Sequence, residues 1–198
     1  MIKRLFLISI LLISIITSCT QQDRQQSVAE TGDSLSLEQL EEQLLKDSTN
    51  AQLWYQRGII GYENGDFTSA INDFNKAIQF DSLMEEAWHD RGLSNLQFNR
   101  LDTALYDFNQ TLLINPTFIE AYNNRGLLYE TMGLLEKAAM DFDQCIQLNP
   151  RFAPAYFNRG ALLVDINREQ ACVDFKAAKE LGDKDAENAY LQFCNSKE

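Results

Sequence analysis

Histidine is almost absent from this sequence of 198 residues, which contains only His89. Glu85 lies one helical turn earlier, but no second histidine or cysteine lies at the spacing of a metal site. The sequence also lacks a recognisable nucleophile with a neighbouring base and a glycine-rich phosphate loop. We therefore expect no enzyme activity, no cofactor or metal and no small-molecule substrate, and we interpret His89 as a surface residue.

Basic residues and proline are also scarce. Seventeen Lys and Arg residues stand against 29 Asp and Glu, which gives a formal net charge of −12. Such a surface repels phosphate backbones, so we expect no nucleic-acid partner and favour basic or neutral ones. With three prolines and few β-branched runs, the composition favours helices.

The N-terminal residues 1–18 have the layout of a secretory signal peptide, with Lys3 and Arg4 before an apolar run. As a helix, the run from Leu5 to Ile16 would span roughly 20 Å at about 1.5 Å per residue, short of the roughly 30 Å hydrocarbon layer. A permanent transmembrane anchor is therefore disfavoured.

The tetrapeptide "ITSC" at residues 16–19 resembles the bacterial lipobox. The resemblance implies that Cys19 receives a diacylglycerol and that acyl chains anchor the mature protein in a membrane. A plain signal peptide followed by an incidental cysteine is the alternative. Residues 19–35 are polar and lack periodicity, which predicts a flexible tether. Thr20 follows the cysteine, and resemblance to Gram-negative lipoprotein sorting then favours the outer membrane, at its periplasmic face or the cell surface.

A frame of residues recurs every 34 positions along the chain. The aligned columns are Trp54, Trp88, Tyr122 and Tyr156; Arg57, Arg91, Arg125 and Arg159; Gly58, Gly92, Gly126 and Gly160; Ala70, Ala104 and Ala138; and Phe74, Phe108 and Phe142. Within each copy, apolar residues recur twice at helical spacing, around a turn column. That column consists of Gly65, Asn99, Gly133 and Asn167. Because Gly and Asn readily adopt the left-handed conformation that ends a helix, each copy is predicted to be two antiparallel helices.

The period, the aromatic residue four positions before glycine, the alanine, the following aromatic and the closing proline together resemble the tetratricopeptide repeat (TPR). The resemblance implies an all-α solenoid of four helix-turn-helix repeats wound into a right-handed superhelix. The repeats cover residues 51–84, 85–118, 119–152 and 153–182, which together form the range 51–182. The fourth copy is one residue short, which we place between Arg168 and Ala171, and it lacks the closing proline.

Solenoids require covers for their apolar ends. Over residues 36–50, Ser36 and Gln39 have the spacing of a capping box, which predicts an N-terminal capping helix. Its apolar stripe consists of Leu37, Leu40, Leu44 and Leu45. Over residues 183–198, Asp183 is expected to begin a C-terminal capping helix. Its buried side consists of Ala186, Ala189, Tyr190 and Phe193.

Each repeat pairs an arginine with an aspartate fifteen or sixteen residues later. The pairs are Arg57 with Asp73, Arg91 with Asp107, Arg125 with Asp141, and Arg159 with Asp174. An anion-binding ladder is one interpretation. Ion pairs between packed helices explain matched columns of opposite charge more simply.

The TPR resemblance implies that the first helices line a concave groove, where asparagine ladders of some TPR superhelices hold extended peptides. An amide suits this task because it offers both a donor and an acceptor. The predicted groove consists of Tyr55, Gln56, Tyr62, His89, Asp90, Asn123, Asn124, Phe157 and Asn158. Solvated polar residues or inter-helix bonds are the alternatives. Replacing Asn124 and Asn158 by Ala is expected to weaken binding with little effect on the melting temperature.

Two cysteines bracket a predicted helix hairpin that turns near Leu181 and Gly182. Cys172 and Cys194 lie at nearly equal sequence distances from that turn, so they should face each other at the spacing of a disulfide. Unpaired buried thiols are the alternative. Cys145 occupies a column of small residues and is expected to be a free core thiol.

The TPR resemblance implies a protein-protein interaction module. We expect a lipid-anchored protein of the bacterial cell envelope that binds an extended peptide or helix of a partner in its groove. A structural subunit of an envelope assembly, held by its convex face and solenoid ends, is the second hypothesis. An enzyme would require a second catalytic group that the sequence lacks.

Overall fold

The computed structural model describes residues 35–194, where all regular structure is helical. This part contains ten helices: α1 (Leu37–Lys46), α2 (Ala51–Glu63), α3 (Phe67–Phe80), α4 (Glu85–Leu96), α5 (Leu101–Ile114), α6 (Ile119–Thr131), α7 (Leu135–Leu148), α8 (Ala153–Leu163), α9 (Arg168–Glu180) and α10 (Lys184–Cys194). The predicted all-α class is confirmed. The predicted signal peptide, the lipid-bearing Cys19 and nearly all of the tether lie outside the described residues. Within residues 35–194, no helix combines the length and the apolar character needed to cross a membrane.

The helices pack as consecutive pairs: α2 with α3, α4 with α5, α6 with α7, and α8 with α9. These are the helix pairs that the 34-residue period predicts. The chain divides into two compact units. Unit 1 ends at Pro116 and contains α1–α5, and unit 2 begins at Thr117 and contains α6–α10. Each unit therefore has two helix pairs and one terminal helix.

Short polar side chains begin and end many of the helices. The capping box of α1 is confirmed, since the Gln39 amide donates to Ser36 Oγ and the Ser36 amide donates to Gln39 Oε1. Asn50 and Asp66 accept from backbone amides in the first turns of α2 and α3. At the other end, the second helices α3, α5 and α7 end at the caps Asp81, Asn115 and Asn149.

The turn column adopts the left-handed conformation in three repeats, with φ of 77° at Gly65, 55° at Asn99 and 75° at Gly133. The prediction for Asn167 is wrong: its φ is −143°, and its side chain caps α9 by accepting from the Gln170 amide. The second helices start 34 residues apart until α9, which starts 33 residues after α7. In the first three repeats the left-handed residue lies two positions before the second helix. The fourth repeat lacks that residue, so the deletion lies before Asn167 and not between Arg168 and Ala171.

The core of each pair joins a phenylalanine of the second helix to a glycine of the first. Phe74, Phe108, Phe142 and Phe175 are at most 1% exposed. A Cβ atom built on Gly126 would lie 2.6 Å from Phe142 Cε1, and a Cβ atom built on Gly58 would lie 2.6 Å from Phe74 Cε1. Only a residue without a side chain lets the first helix approach the ring so closely, which explains the glycine column.

The terminal helices cover apolar surface at the ends of the two units. In α1, Leu40 and Leu44 are buried and pack with Leu53 of α2. The other two residues of the predicted apolar stripe are not buried, since Leu37 is 46% and Leu45 is 88% exposed. At about 100° per residue, Leu45 points well away from the line that joins Leu40 to Leu44.

The C-terminal helix α10 is fastened to α9 by several contacts. Asp183 accepts hydrogen bonds from the Asp185 and Ala186 amides at 2.9 Å, as expected for the start of α10. Cys172 and Cys194 form the predicted disulfide, with their Cα atoms 5.6 Å apart. Arg168 Nε also donates to the Phe193 carbonyl at 2.7 Å. Arg168 begins α9 at the position where Phe67, Leu101 and Leu135 begin the other second helices, and in this repeat it secures the end of α10.

Candidate functional site

The four predicted Arg–Asp pairs are present and join the two helices of each pair. Their shortest N···O distances are 2.6 Å for Arg57–Asp73, 2.6 Å for Arg91–Asp107, 2.7 Å for Arg125–Asp141 and 2.7 Å for Arg159–Asp174. Each guanidinium also lies over the aromatic residue three positions earlier, at 4.6 to 5.9 Å from the ring centroid. Because each guanidinium pairs with an aspartate through its N–H groups and covers an aromatic ring with a face, the pairs are structural, and the anion-ladder interpretation is not supported.

Asp107 is the most deeply buried of these aspartates and shows the cost of burying a charge. It is 0% exposed and accepts from Arg91 and from Asn95 Nδ2. Burial raises the pKa of the Asp107 carboxyl, while the Arg91 guanidinium acts in the opposite direction. The charge is therefore tolerated only because Arg91 and Asn95 compensate it.

In unit 1, the predicted groove residues form hydrogen bonds with one another between α2 and α4. Tyr55 Oη donates to Asp90 Oδ2 at 3.0 Å, and His89 Nδ1 lies 2.9 Å from Asp90 Oδ1. The interpretation of His89 as a surface residue is wrong, since it is 4% exposed and its ring lies 5.7 Å from that of Phe108. Gln56 and Tyr62 are partly buried on α2. Their role in binding stays a prediction.

In unit 2, two predicted groove residues join α6 to α8. Asn158 Nδ2 donates to Asn123 Oδ1 at 2.8 Å, and both side chains are buried, as is Asn124. Phe157 is partly buried, with its ring 5.9 Å from that of Phe175. An inter-helix bond was one of the alternatives for this column. Because a buried bond would be lost, Asn158→Ala is now expected to lower stability, contrary to the prediction of an almost unchanged melting temperature.

Two acidic residues of unit 2 were not singled out from the sequence. Glu130 is partly buried on α6, and Asp165 is exposed just after α8. Glu130 could have been recognised from the sequence, because the other three repeats have an apolar or aromatic residue at its position. Those residues are Tyr62, Leu96 and Val164. A single acidic residue in an apolar column indicates a feature of one repeat rather than of the repeated fold.

Comparison with known families identifies the repeated unit. One tetratricopeptide-repeat family model matches residues 51–82, and another matches residues 119–152. The chain is a TPR protein. No curated protein matches the chain.

Solved TPR structures share this fold. A crystal structure of MamA is 25% identical, covers 76% of this chain and 88% of its own, and superposes with a TM-score of 0.68. YrrB, described as a TPR protein with an unusual peptide-binding site, is 20% identical over 90% of this chain and 88% of its own, with a TM-score of 0.66. The first TPR domain of Spaghetti, bound to an HSP90 peptide, is 22% identical over 59% of this chain and 92% of its own, with a TM-score of 0.56.

The chemistry available in the described helices can be judged from their metal-ligating residues and their free cysteine. No group of three or more His, Cys, Asp or Glu residues within residues 35–194 could hold a metal ion. Cys145, the free cysteine of this range, is 0% exposed, as expected, and burial raises the pKa of its thiol. A buried, protonated thiol is a poor nucleophile. TPR proteins are typically interaction modules rather than enzymes.

Proposed function

We propose that this TPR protein binds an extended peptide or a helix of a partner protein on the first helices of its repeats. The observation that carries the proposal lies in unit 2, beside the Asn123–Asn158 hydrogen bond. Ala161 is exposed there, and Phe157 and Val164 are partly exposed at helical spacing along one side of α8. A partner that covered these side chains would bury apolar surface next to amides that can recognise a peptide backbone.

The solved relatives support a peptide as the class of ligand. Peptide binding is named for both YrrB and the Spaghetti domain, which share the helix-pair fold of this chain. Their likeness concerns the fold, so the residues of the binding face are taken from this chain alone.

A second candidate function is that of a structural subunit held through the second helices. Apolar side chains on these helices are strongly exposed: Tyr106 at 54% and Leu113 at 74% in unit 1, and Met140 at 69% and Val173 at 57% in unit 2. Such residues would be covered in a larger assembly.

Photo-cross-linking in cells distinguishes the two candidate functions. Phe157 and, in a separate variant, Tyr106 are replaced by the photoreactive aromatic amino acid p-benzoylphenylalanine. Phe157 lies on a first helix and Tyr106 on a second helix, so the pair tests the two faces with one probe. We expect a discrete protein adduct at position 157. Adducts at position 106 alone would contradict the peptide-binding proposal and favour the structural subunit.

The proposal extends to the bacterial cell envelope, where a lipid on Cys19 would hold the TPR array at the outer membrane. Its support is the basic start, the short apolar run and the lipobox-like tetrapeptide before Cys19. A tether of polar residues would leave the array free to reach a partner.

Substitution of Cys19 by serine tests the anchor. We expect the wild-type protein to incorporate a fatty-acid label and to sediment with membranes, and the variant to lose both properties because a hydroxyl cannot form the thioether. Cys145→Ala is the matched control, since it removes a buried cysteine and should leave labelling unchanged. Unaltered labelling and sedimentation of the Cys19→Ser protein would refute the anchor.

A further inference from the structure

Unit 2 carries one acidic residue on α6, Glu130, and another just after the end of α8, Asp165. Glu130 lies seven residues after Asn123, and Asp165 lies seven residues after Asn158. Seven residues are close to two helical turns, or about 10 Å at about 1.5 Å per residue, so Glu130 continues the face of α6 that Asn123 begins, while Asp165 follows two residues after the end of α8. Since the Asn123–Asn158 bond sets the register of α6 against α8, Glu130 and Asp165 lie towards the same end of this pair of helices.

Neither carboxylate has a counter-charge within the described part of the chain. The side chains of Glu130 and Asp165 take part in none of the hydrogen bonds or ion pairs found within residues 35–194, while the backbone carbonyl of Glu130 accepts from the Gly133 amide. The basic residues of α6 and α8 are Arg125 and Arg159, and both already pair with aspartates of the second helices. Burial alone raises the pKa of Glu130, which is the signature of a carboxylate desolvated without compensation.

The neighbouring side chains on α8 and at its C-cap are apolar and partly or fully exposed. Phe157, Ala161 and Val164 follow one another at spacings of four and three residues and lead towards Asp165. The surface therefore combines an apolar strip with an acidic end, and a ligand that fits it must carry both characters.

We infer that this face of unit 2 binds a peptide segment in which a lysine or arginine adjoins apolar residues. The basic side chain pairs with Glu130 and Asp165, and the apolar residues cover Phe157, Ala161 and Val164. A net charge of −12 attracts such a segment over a distance and disfavours acidic ones. The inference rests on the proposed function, to which it adds the chemistry of the partner.

Selection from a random peptide library displayed on phage tests the inference with the full chain as bait. We expect the enriched peptides to carry Lys or Arg next to apolar residues, and their affinity to fall as sodium chloride is added. Glu130→Gln with Asp165→Asn should weaken an enriched peptide about three- to tenfold, as expected for two partly solvated ion pairs. Glu136→Gln with Glu169→Gln is the matched control, since it neutralises two exposed acids on α7 and α9.

The possible outcomes separate the inference from the proposed function. Enriched peptides without an excess of Lys and Arg, or equal affinity for the Glu130→Gln/Asp165→Asn protein, would overturn the inference and leave peptide binding intact. If no peptide is enriched, or if the enriched peptides bind a Phe157→Ala protein equally well, the proposed function fails and the inference fails with it.

Discussion

Replacing Arg91 by methionine is expected to lower the free energy of unfolding by about 3–5 kcal/mol, the usual cost of leaving a buried charge without its partner. The side chain of methionine keeps the apolar contact over Trp88 but removes both hydrogen bonds to Asp107. Asn95 would remain as a donor to a carboxylate that is 0% exposed. Urea unfolding followed by circular dichroism measures the loss.

The pH dependence of this loss identifies its cause. Without Arg91, burial raises the pKa of Asp107 further above its unfolded value, so the neutral carboxyl is favoured in the folded state. A raised folded pKa contributes stability at low pH that is lost as the pH rises through it. The deficit of the Arg91→Met protein should therefore shrink in acid, and Arg91→Met with Asp107→Asn should recover most of it near neutral pH. A loss below about 1 kcal/mol would show that the pair resembles an exposed one.

Replacing Phe142 by alanine is expected to cost about 3–5 kcal/mol, because the ring is 0% exposed and its removal leaves a cavity between α6 and α7. Met140→Ala is the control on the same helix, and since Met140 is 69% exposed it should change stability by about 0.5 kcal/mol or less. Thermal and urea unfolding of the two variants give the comparison.

The effects of substitutions at Phe142 and Gly126 should depend on each other, because the two residues are in direct contact in the repeat. A Cβ at position 126 would lie 2.6 Å from Phe142 Cε1, so Gly126→Ala alone should cost about 1–3 kcal/mol through overpacking. In the Phe142→Ala background the added methyl enters the cavity, and its cost should largely disappear. Strictly additive losses would contradict the direct contact between these two columns.

The 34-residue period predicted the helix pairs, their core and the Arg–Asp pairs, because each rests on a column repeated down the chain. The Cys172–Cys194 pairing was also accessible, since a short hairpin fixes which residues face each other. The aligned columns did not predict the conformation of Asn167, because an alignment can place one missing residue anywhere between two matched columns. Only the backbone conformation shows that the missing residue is the left-handed one.

The repeat pattern could not show that the polar residues on the first helices are buried. A polar column such as Asp90 and Asn158 looks the same whether it faces a groove or forms bonds between neighbouring first helices. The Tyr55–Asp90 and Asn123–Asn158 bonds depend on how closely the helices pack, which spacing alone does not reveal. Glu130 was missed for the opposite reason, since it departs from its column and has no counterpart in other repeats.

The most direct measurement is a nuclear magnetic resonance titration of the isotope-labelled protein with a peptide enriched in the library selection. If the first helices of unit 2 form the binding face, chemical-shift changes should concentrate on the side-chain amides of Asn123 and Asn158 and on the backbone near Glu130 and Phe157. The resonances of Met140 and Val173, exposed on the second helices, should stay in place. Shifts confined to Met140, Val173 and their neighbours would contradict the account.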